Sequence, residues 1–205
     1  MRFLPVNLSA FMVELPSLEQ TMALTDSLTH YPIKGIEEIT PAARTVLVRY
    51  NPAIEHVNAI VQQISLRNIE SGESKMGKLV TIPVHYIGED LPEVAEYLGV
   101  SIEEVIRRHT ESEYLVAFSG FAPGFGYMVS TQAQLQVPRR QSPRVRIPAG
   151  SVALAGEFSS VYPQASPGGW QLIGQTDLAV WDINRPEPAL LQAGYRVLFV
   201  DQSKS

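Results

Sequence analysis

Four arginines in the second half of the chain are the residues whose type and spacing most clearly suggest chemistry. Arg139, Arg140, Arg144 and Arg146 fall within eight positions with no acidic residue between them, in a chain whose formal net charge is −5. A guanidinium group binds carboxylate and phosphate oxygens through paired hydrogen bonds. We therefore predict an anion site in which at least one of Arg139 and Arg144 binds the ligand. The alternative is a solvent-exposed strand edge, on which Arg144 and Arg146 share one face.

His109 is the second candidate. Ile102, Val105, Ile106 and His109 recur at helical spacing after a capping sequence, Ser101 to Glu104. The imidazole is therefore expected on the apolar face of a helix, pointing inward. Because imidazole titrates near neutral pH, His109 is a candidate base or substrate ligand. The alternative is a core histidine whose ring bonds a backbone carbonyl.

Glycine and proline are concentrated around the arginines. Residues 120–170 hold 7 of the 14 glycines and 6 of the 15 prolines, which is typical of shaped loops. Small residues in the turn from Ser166 to Gly169 would let backbone N–H groups approach an anion. The aromatic residues are expected either in a core or interface or at the site. The candidate binding residues are Phe121, Pro123, Gly124, Phe125, Ser151, Ser166, Gly168, Gly169 and Trp170.

The elements that must position these residues fall into two groups. The first half has the order strand, helix, strand, strand, helix, strand, which is the split βαβ arrangement of a small α+β domain. A polar run from Ser71 to Lys78 is a loop or an interdomain linker in this interpretation. The predicted elements are strands at 3–15, 33–39, 45–50 and 79–84, a helix opened by Ser17 and ending near His30, and a one-sided helix at 54–64.

After two short helices, the second half changes to short strands separated by Gly and Pro turns. The first of these helices starts at Asp90 and stops at Gly99, and the second contains His109. Strands at this spacing favour a barrel or a sandwich. They are predicted at 115–118, 144–147, 152–155, 171–173, 178–181 and 197–200.

Composition excludes several classes of protein. The absence of cysteine removes disulfides, zinc thiolates and thiol nucleophiles. The four histidines are too scattered to propose a metal site, and neither a P-loop nor a nucleophile elbow is present. A pI near 5.4 argues against nucleic-acid binding. Since no long apolar run occurs, no membrane segment is expected, and a cytoplasmic protein is predicted.

Several motifs in a fixed order resemble the allophanate hydrolase subunit 1 family. That family includes the B subunit of 5-oxoprolinase and the kinase inhibitor KipI, and it is related to one half of the carboxyltransferase domain of urea carboxylase. The chain departs from many members at Phe158 to Ser160 and at Tyr127 to Val129, which lie in expected site loops. The matching motifs are Ile82-Pro-Val-His-Tyr86, Gly120-Phe-Ala-Pro-Gly-Phe-Gly-Tyr127, Pro138-Arg139, Pro143-Arg144, Ile147-Pro-Ala-Gly-Ser-Val152, Val161-Tyr-Pro163 and Ser166-Pro-Gly-Gly-Trp-Gln-Leu-Ile-Gly174.

The resemblance implies an α+β chain with an N-terminal ferredoxin-like split βαβ domain, residues 1–78, and a C-terminal cyclophilin-like β-barrel domain, residues 79–205. It also implies the B subunit of an ATP-dependent 5-oxoprolinase, a hydrolase that converts 5-oxoproline, a small cyclic amide, to glutamate. The implied partners are a C subunit of the allophanate hydrolase subunit 2 type and a lamB-type A subunit. The chain is then expected to be inactive alone and to share ATP with its partner.

In this interpretation Arg139 and Arg144 bind anionic oxygens and His109 handles a proton, while the loop from Phe121 to Phe125 keeps water out. The site is predicted at the rim of the barrel, with the imidazole at its floor. Two alternatives stay open. One is a KipI-like inhibitor of a sensor histidine kinase, and the other is half of a urea-type carboxyltransferase, which requires a biotin carrier.

Overall fold

The structure is a computed structural model that describes residues 1–69, 77–130 and 132–204. The chain divides into two compact units, Met1–Lys75 and Met76–Ser205. The predicted boundary after residue 78 stays a prediction, because most of the polar run at 71–78 lies outside the described residues. Within the described ranges, no helix is both long enough and apolar enough to cross a membrane.

The helices and strands of each unit follow in chain order. The first unit contains β1 Arg2–Asn7, β2 Ala10–Glu14, α1 Leu18–His30, β3 Ile36–Pro41, β4 Thr45–Tyr50 and α2 Val57–Ser65. The second unit contains β5 Leu79–Val84, α3 Leu91–Leu98, α4 Ile102–Glu111, β6 Tyr114–Ser119, β7 Gly126–Val129, β8 Arg144–Ile147, β9 Ser151–Ala155, β10 Phe158–Val161, β11 Ser166–Gly168, β12 Gln171–Gln175 and β13 Arg196–Asp201.

The first unit is a four-stranded sheet in the order β1-β2-β4-β3, and all of its pairs are antiparallel. The prediction of one strand over residues 3–15 is wrong, because the chain turns at residues 8–9 and forms a hairpin. This hairpin supplies the fourth strand, since β5 pairs outside this sheet. Helices α1 and α2 bury Leu24, Leu28, Ile60 and Ile64 against the sheet in one apolar core.

The second unit is built on a seven-stranded sheet in the order β12-β9-β10-β7-β6-β13-β5. Its two outer strands meet, because His85 and Gln175 exchange backbone hydrogen bonds of 2.8 Å in both directions. The sheet is therefore nearly closed, and the predicted α+β class with a barrel-like second half is confirmed. The predicted strand at 178–181 is wrong, since only an isolated bridge at Trp181 occurs there.

Strands β9 and β10 separate two apolar cores of the second unit. Phe158 lies opposite Ala155 and both pack in the smaller core, whereas Ser159 lies opposite Leu154, which packs in the larger one. Neighbouring residues of a strand point to opposite faces, so Ser159 faces the larger core. The larger core, called the main core below, includes Val84, Val94, Val105, Leu154, Val161 and Phe199. The smaller core contains a set of rings, called the aromatic cluster below: Phe125, Tyr127, Phe158, Tyr162 and Trp170.

The two helices of this unit begin and end largely where the sequence predicts. Ser101 caps α4 by accepting a hydrogen bond from the Glu104 amide at 3.2 Å. Gly99 ends α3 with a φ of 67°, in the left-handed region that favours glycine. Asp90 precedes α3, but its side chain makes no capping bond. Its carboxylate is therefore available for other contacts, which are described with the site.

Candidate functional site

Phe125 lies at the centre of the aromatic cluster. Its ring centroid is 5.1 Å from that of Tyr127, 5.3 Å from that of Tyr162 and 5.4 Å from that of Trp170, and each pair meets edge to face. Phe121 borders the cluster at 5.1 Å from Phe125. Phe125 is buried, whereas the exposed fraction of Phe121 is 59%. The cluster is thus a packed aromatic core with one ring open to solvent.

The backbone at Phe121 has a conformation that most side chains avoid. Its φ is +66°, and the Ala122 amide donates a 2.7 Å hydrogen bond to the Gly120 carbonyl, which closes a γ-turn around Phe121. This form of γ-turn is rare and strained for a non-glycine residue. A second bond, from the Phe125 amide to the Ala122 carbonyl at 3.0 Å, fixes the rest of the loop. The loop therefore holds the Phe121 ring outward at a local energetic cost.

Two glycines of the predicted site are required for close packing. A Cβ atom on Gly168 would collide with the hydroxyl of Tyr162, and one on Gly124, whose φ is +81°, would meet the Trp181 side chain at 2.6 Å. Only glycine, which has no side chain, fits at these two positions. Pro123 is exposed in the same loop as Gly124.

Arg139 is the arginine of the predicted anion site that is free to bind a ligand. Its side chain is exposed and makes neither a hydrogen bond nor an ion pair with any residue that the structure describes. Burial, and to a smaller extent the neighbouring Tyr127, raises the pKa of Tyr162 to about 12, and the positive charges of Arg139 and Arg144 oppose that shift. Burial likewise raises the pKa of Tyr127, again opposed by Arg139. The backbone on either side of Arg139 is bonded to residues 169 and 171, so Arg139 lies beside the segment that contains Trp170 of the aromatic cluster. Both tyrosine hydroxyls stay protonated at neutral pH.

Arg144 has partners of its own. Its Nε lies 2.7 Å from a Glu89 oxygen, and its Nη2 lies 2.7 Å from Oδ1 of Asp90. The same Oδ1 accepts a 2.6 Å bond from Nη1 of Arg140. Both arginines are largely covered, with 17% of the Arg144 side chain and 28% of the Arg140 side chain exposed. Arg144 thus joins a local ion cluster, and the ligand-binding role predicted for it stays a prediction that this geometry does not favour.

His109 is fully buried and its two ring nitrogens have partners. Nδ1 lies 2.6 Å from the Tyr86 hydroxyl and Nε2 lies 3.0 Å from the Ser159 hydroxyl. The ring packs against Phe199, with centroids 4.1 Å apart, and against Tyr114. Burial lowers the pKa of His109 to about 3, so the imidazole is neutral at physiological pH. The inward orientation is confirmed, although the partners are two hydroxyl groups and not the expected backbone carbonyl.

The structure does not bring His109 together with the exposed arginine. Ser159, which contacts His109, faces the main core, whereas Phe158 on the other face of β10 packs in the aromatic cluster. The predicted imidazole floor beneath the arginines is therefore not formed. A proton-transfer role for His109 stays a prediction. Strand β10 lies between its ring and the aromatic cluster.

The remaining predicted residues have local partners. The Ser151 hydroxyl is buried and donates to Oε1 of Gln175 at 3.3 Å, and the Ser166 hydroxyl donates to the Gln164 carbonyl at 3.2 Å. The Gly169 carbonyl accepts from the Arg140 amide at 2.8 Å. No group of three His, Asp or Glu side chains arranged for a metal ion occurs in the described ranges.

Comparison with known protein families identifies the chain. The family model for the carboxyltransferase domain, subdomain C and D, matches residues 1–191. The chain belongs to this family. It is 39% identical over 200 residues to an Escherichia coli O157:H7 protein named as the B subunit of 5-oxoprolinase, covering 94% of this chain and 89% of that protein. A Bacillus subtilis (strain 168) protein of the same name is 41% identical over 185 residues, covering 82% and 77%.

Several solved structures share the fold of this chain. TTHA0988 superposes with a TM-score of 0.78 at 34% identity, over 95% of this chain and 40% of that one. PH0987 from Pyrococcus horikoshii gives 0.58 at 32% identity, over 99% of both chains. The Kluyveromyces lactis urea carboxylase gives 0.75 at 17% identity and covers 98% of this chain and 22% of that one, which is a likeness of fold alone. The predicted family resemblance is confirmed.

Two features of this family member were missed by the sequence interpretation. Asp90 was assigned only to the start of a helix, although its carboxylate binds two arginines more than 40 residues away. Tyr162 was not named as a candidate, although its ring packs against Phe125 at the centre of the aromatic cluster. Tyr162 follows Val161 in one of the matching motifs, and this was the available signal. The Asp90 contacts had no signal in the sequence, since they depend on the tertiary fold.

Proposed function

We propose that this carboxyltransferase-family chain is the B subunit of a cytoplasmic, ATP-dependent 5-oxoprolinase. It works with a C subunit of the allophanate hydrolase subunit 2 type and a lamB-type A subunit, and it has no turnover alone. The observation that best supports a ligand site on this chain is the exposed Arg139, which has no side-chain partner among the described residues and whose backbone is bonded on both sides to the segment that contains Trp170. The relatives named as B subunits of 5-oxoprolinase support the choice of substrate.

The chemistry of 5-oxoproline fits such a surface. The molecule is a five-membered lactam with one carboxylate, so recognition needs a cation, a hydrogen-bond donor and an apolar contact. Arg139 binds the carboxylate through its guanidinium fork. The hydroxyl of Tyr127, which is only partly buried and stays protonated at neutral pH, donates a hydrogen bond to a substrate oxygen, and the exposed ring of Phe121 packs against the lactam methylenes.

The proposed reaction requires activation because a lactam is a poor electrophile. ATP transfers its γ-phosphoryl group to the lactam oxygen, and the phosphorylated oxygen becomes a leaving group. One water adds to the ring carbon and the C–N bond breaks, so the nitrogen departs as the amine and the ring carbon is left as an acyl phosphate. A second water then attacks this acyl phosphate, which releases phosphate and gives glutamate. Overall, 5-oxoproline, ATP and two water molecules give glutamate, ADP and phosphate. ATP is shared with the partner subunit, and the role of this chain is to hold the substrate.

Reconstitution tests the proposed function. The purified chain, the C subunit, the A subunit, ATP and 5-oxoproline are combined, and glutamate and ADP are measured together. We expect equal amounts of the two products, and none when this chain is omitted. Replacing it with the Arg139→Ala variant should raise KM for 5-oxoproline. Absence of turnover from the complete set of folded subunits would overturn the assignment, as would turnover that does not need this chain.

A further inference from the structure

Asp90 makes three short hydrogen bonds to parts of the chain that are distant in sequence. Its carboxylate is buried, and Oδ1 accepts from Nη1 of Arg140 at 2.6 Å and from Nη2 of Arg144 at 2.7 Å. Its second oxygen, Oδ2, accepts from the backbone amide of Leu172 at 2.7 Å. The carboxylate therefore joins the segment that contains the arginines to the start of β12. Charge-assisted bonds of this length are stronger than bonds between neutral groups.

The same two segments are bonded on both sides of Arg139. The Pro138 carbonyl accepts from Nε2 of Gln171 at 3.3 Å, and the Arg140 amide donates to the Gly169 carbonyl at 2.8 Å. The backbone of Arg139 is thus fixed before and after the residue, while its own side chain has no partner in the described part of the chain. This arrangement holds one free guanidinium at a fixed place beside the β12 segment.

Asp90 supplies the buried negative charge that balances Arg140 and Arg144. The other carboxylates near the arginines belong to Glu89 and Glu93, whose side chains are 64% and 63% exposed, and exposed ion pairs contribute little. Nε of Arg140 and Nη1 of Arg144 are buried without a hydrogen-bond partner in the described structure. Without the Asp90 charge, two covered guanidinium groups would repel each other with no buried counter-charge.

We propose that Asp90 is a positioning residue for substrate binding, which fixes Arg139 by holding the arginines that follow it. This inference rests on the proposed function, because it assigns the 5-oxoproline carboxylate to Arg139. Asp90 does not touch the substrate. It acts through Arg140, Arg144 and the β12 segment, so its loss affects substrate affinity more than the turnover of bound substrate.

The Asp90→Asn variant tests the inference in the assembled 5-oxoprolinase complex. We expect KM for 5-oxoproline to rise about tenfold, as for loss of one charge-assisted bond, while kcat changes by less than about threefold. Amide hydrogen exchange at Arg140 should become faster, because its bond to Gly169 is no longer held in place. The matched control is Val105→Ala, which creates a cavity in the main core and should lower the melting temperature without changing KM.

Further variants separate the possible failures. If Asp90→Asn does not fold, Arg140→Met removes one of the two guanidinium contacts, and it should also raise KM and speed up amide exchange at residue 140. An unchanged KM in Asp90→Asn, together with a raised KM in Arg139→Ala, would overturn the positioning role alone. An unchanged KM in Arg139→Ala would overturn the substrate site of the proposed function. In that case the exchange measurement still decides whether Asp90 fixes the segment.

Discussion

The two faces of β10 differ in how exposed the nearby ionisable side chains are. On one face, Ser159 contacts a fully buried His109, whose second ring nitrogen is bound by Tyr86. On the other face, Phe158 packs in the aromatic cluster, whose Trp170 lies in the segment bonded on both sides of Arg139. Arg139 is exposed and has no side-chain partner among the described residues. The reactive side chain of the first face is enclosed, whereas that of the second is open. Availability of the group, and not its residue type, is therefore the basis on which Arg139 and not His109 is proposed to bind the ligand.

The arginines of the sequence cluster show the same division over a few residues. Arg139 has no partner in the described ranges, whereas Arg140 and Arg144 both bind Asp90. An exposed charge without a protein partner can bind a ligand directly, whereas a covered arginine would first have to break its ion pair and leave the partner carboxylate buried without a counter-charge. This difference is the reason that the proposed ligand site uses Arg139 and not Arg140 or Arg144.

Removing the His109 side chain is the largest perturbation of the enclosed face. His109→Ala leaves a cavity beside Phe199 and two hydroxyl groups, of Tyr86 and Ser159, without their partner. We expect the free energy of unfolding to fall by about 3 kcal/mol or more. Urea denaturation of the isolated chain measures this change. If His109→Ala had normal stability but abolished turnover of the complex, His109 would have a catalytic role and not a structural one.

Substitutions of Arg139 and Arg144 compare an exposed arginine with one held in an ion pair. Arg139→Ala should leave the free energy of unfolding within about 0.5 kcal/mol, because an exposed, unpaired side chain is removed. It should lower kcat/KM of the complex by about 10- to 100-fold, through loss of a charge-assisted bond to the substrate.

Arg144→Ala is the matched variant, and it removes one of the two guanidinium contacts of the Asp90 carboxylate. We expect it to lower the free energy of unfolding by about 1–3 kcal/mol, because the buried Oδ1 atom loses a donor. Thermal and urea unfolding measure this loss. Full stability combined with lost turnover in Arg144→Ala would show that Arg144 binds the ligand, as one of the sequence interpretations has it.

The pH dependence of stability sharpens the contrast without a mutation. Burial lowers the pKa of His109 to about 3 in the folded chain, whereas an unfolded histidine titrates near 6.5. Between these pH values the unfolded chain binds the additional proton, so the free energy of unfolding falls as the pH drops from about 6.5 toward 3. His109 should contribute roughly 1 kcal/mol per pH unit to this fall. Urea midpoints at pH 7 and pH 5 measure it, and an equal slope in His109→Gln would contradict the assignment.

Local signals in the sequence predicted much of this molecule. The capping sequence at Ser101 and the spacing of the apolar residues after it placed His109 inside, and the Gly and Pro turns predicted the barrel-like half. The N-terminal hairpin was not predicted, because residues 3–15 contain no glycine and the turn at Ser9 depends on the Asn7 side chain. The partners of Arg144 were also not predictable, because Asp90 is 54 positions away.

The smallest expected effect concerns the strained turn that exposes Phe121. Phe121→Gly and Phe121→Ala both remove a ring that is 59% exposed, but only glycine relieves a φ of +66°. The strain of a left-handed residue is about 1–2 kcal/mol, and the greater unfolded-state entropy of glycine offsets about 0.5–1 kcal/mol of it. The glycine variant should therefore be more stable than the alanine variant by a few tenths to about 1 kcal/mol. Chemical denaturation of the two proteins side by side measures the difference. An alanine variant at least as stable as the glycine one would show that the strain at this position is no larger than the entropy difference between the two residues.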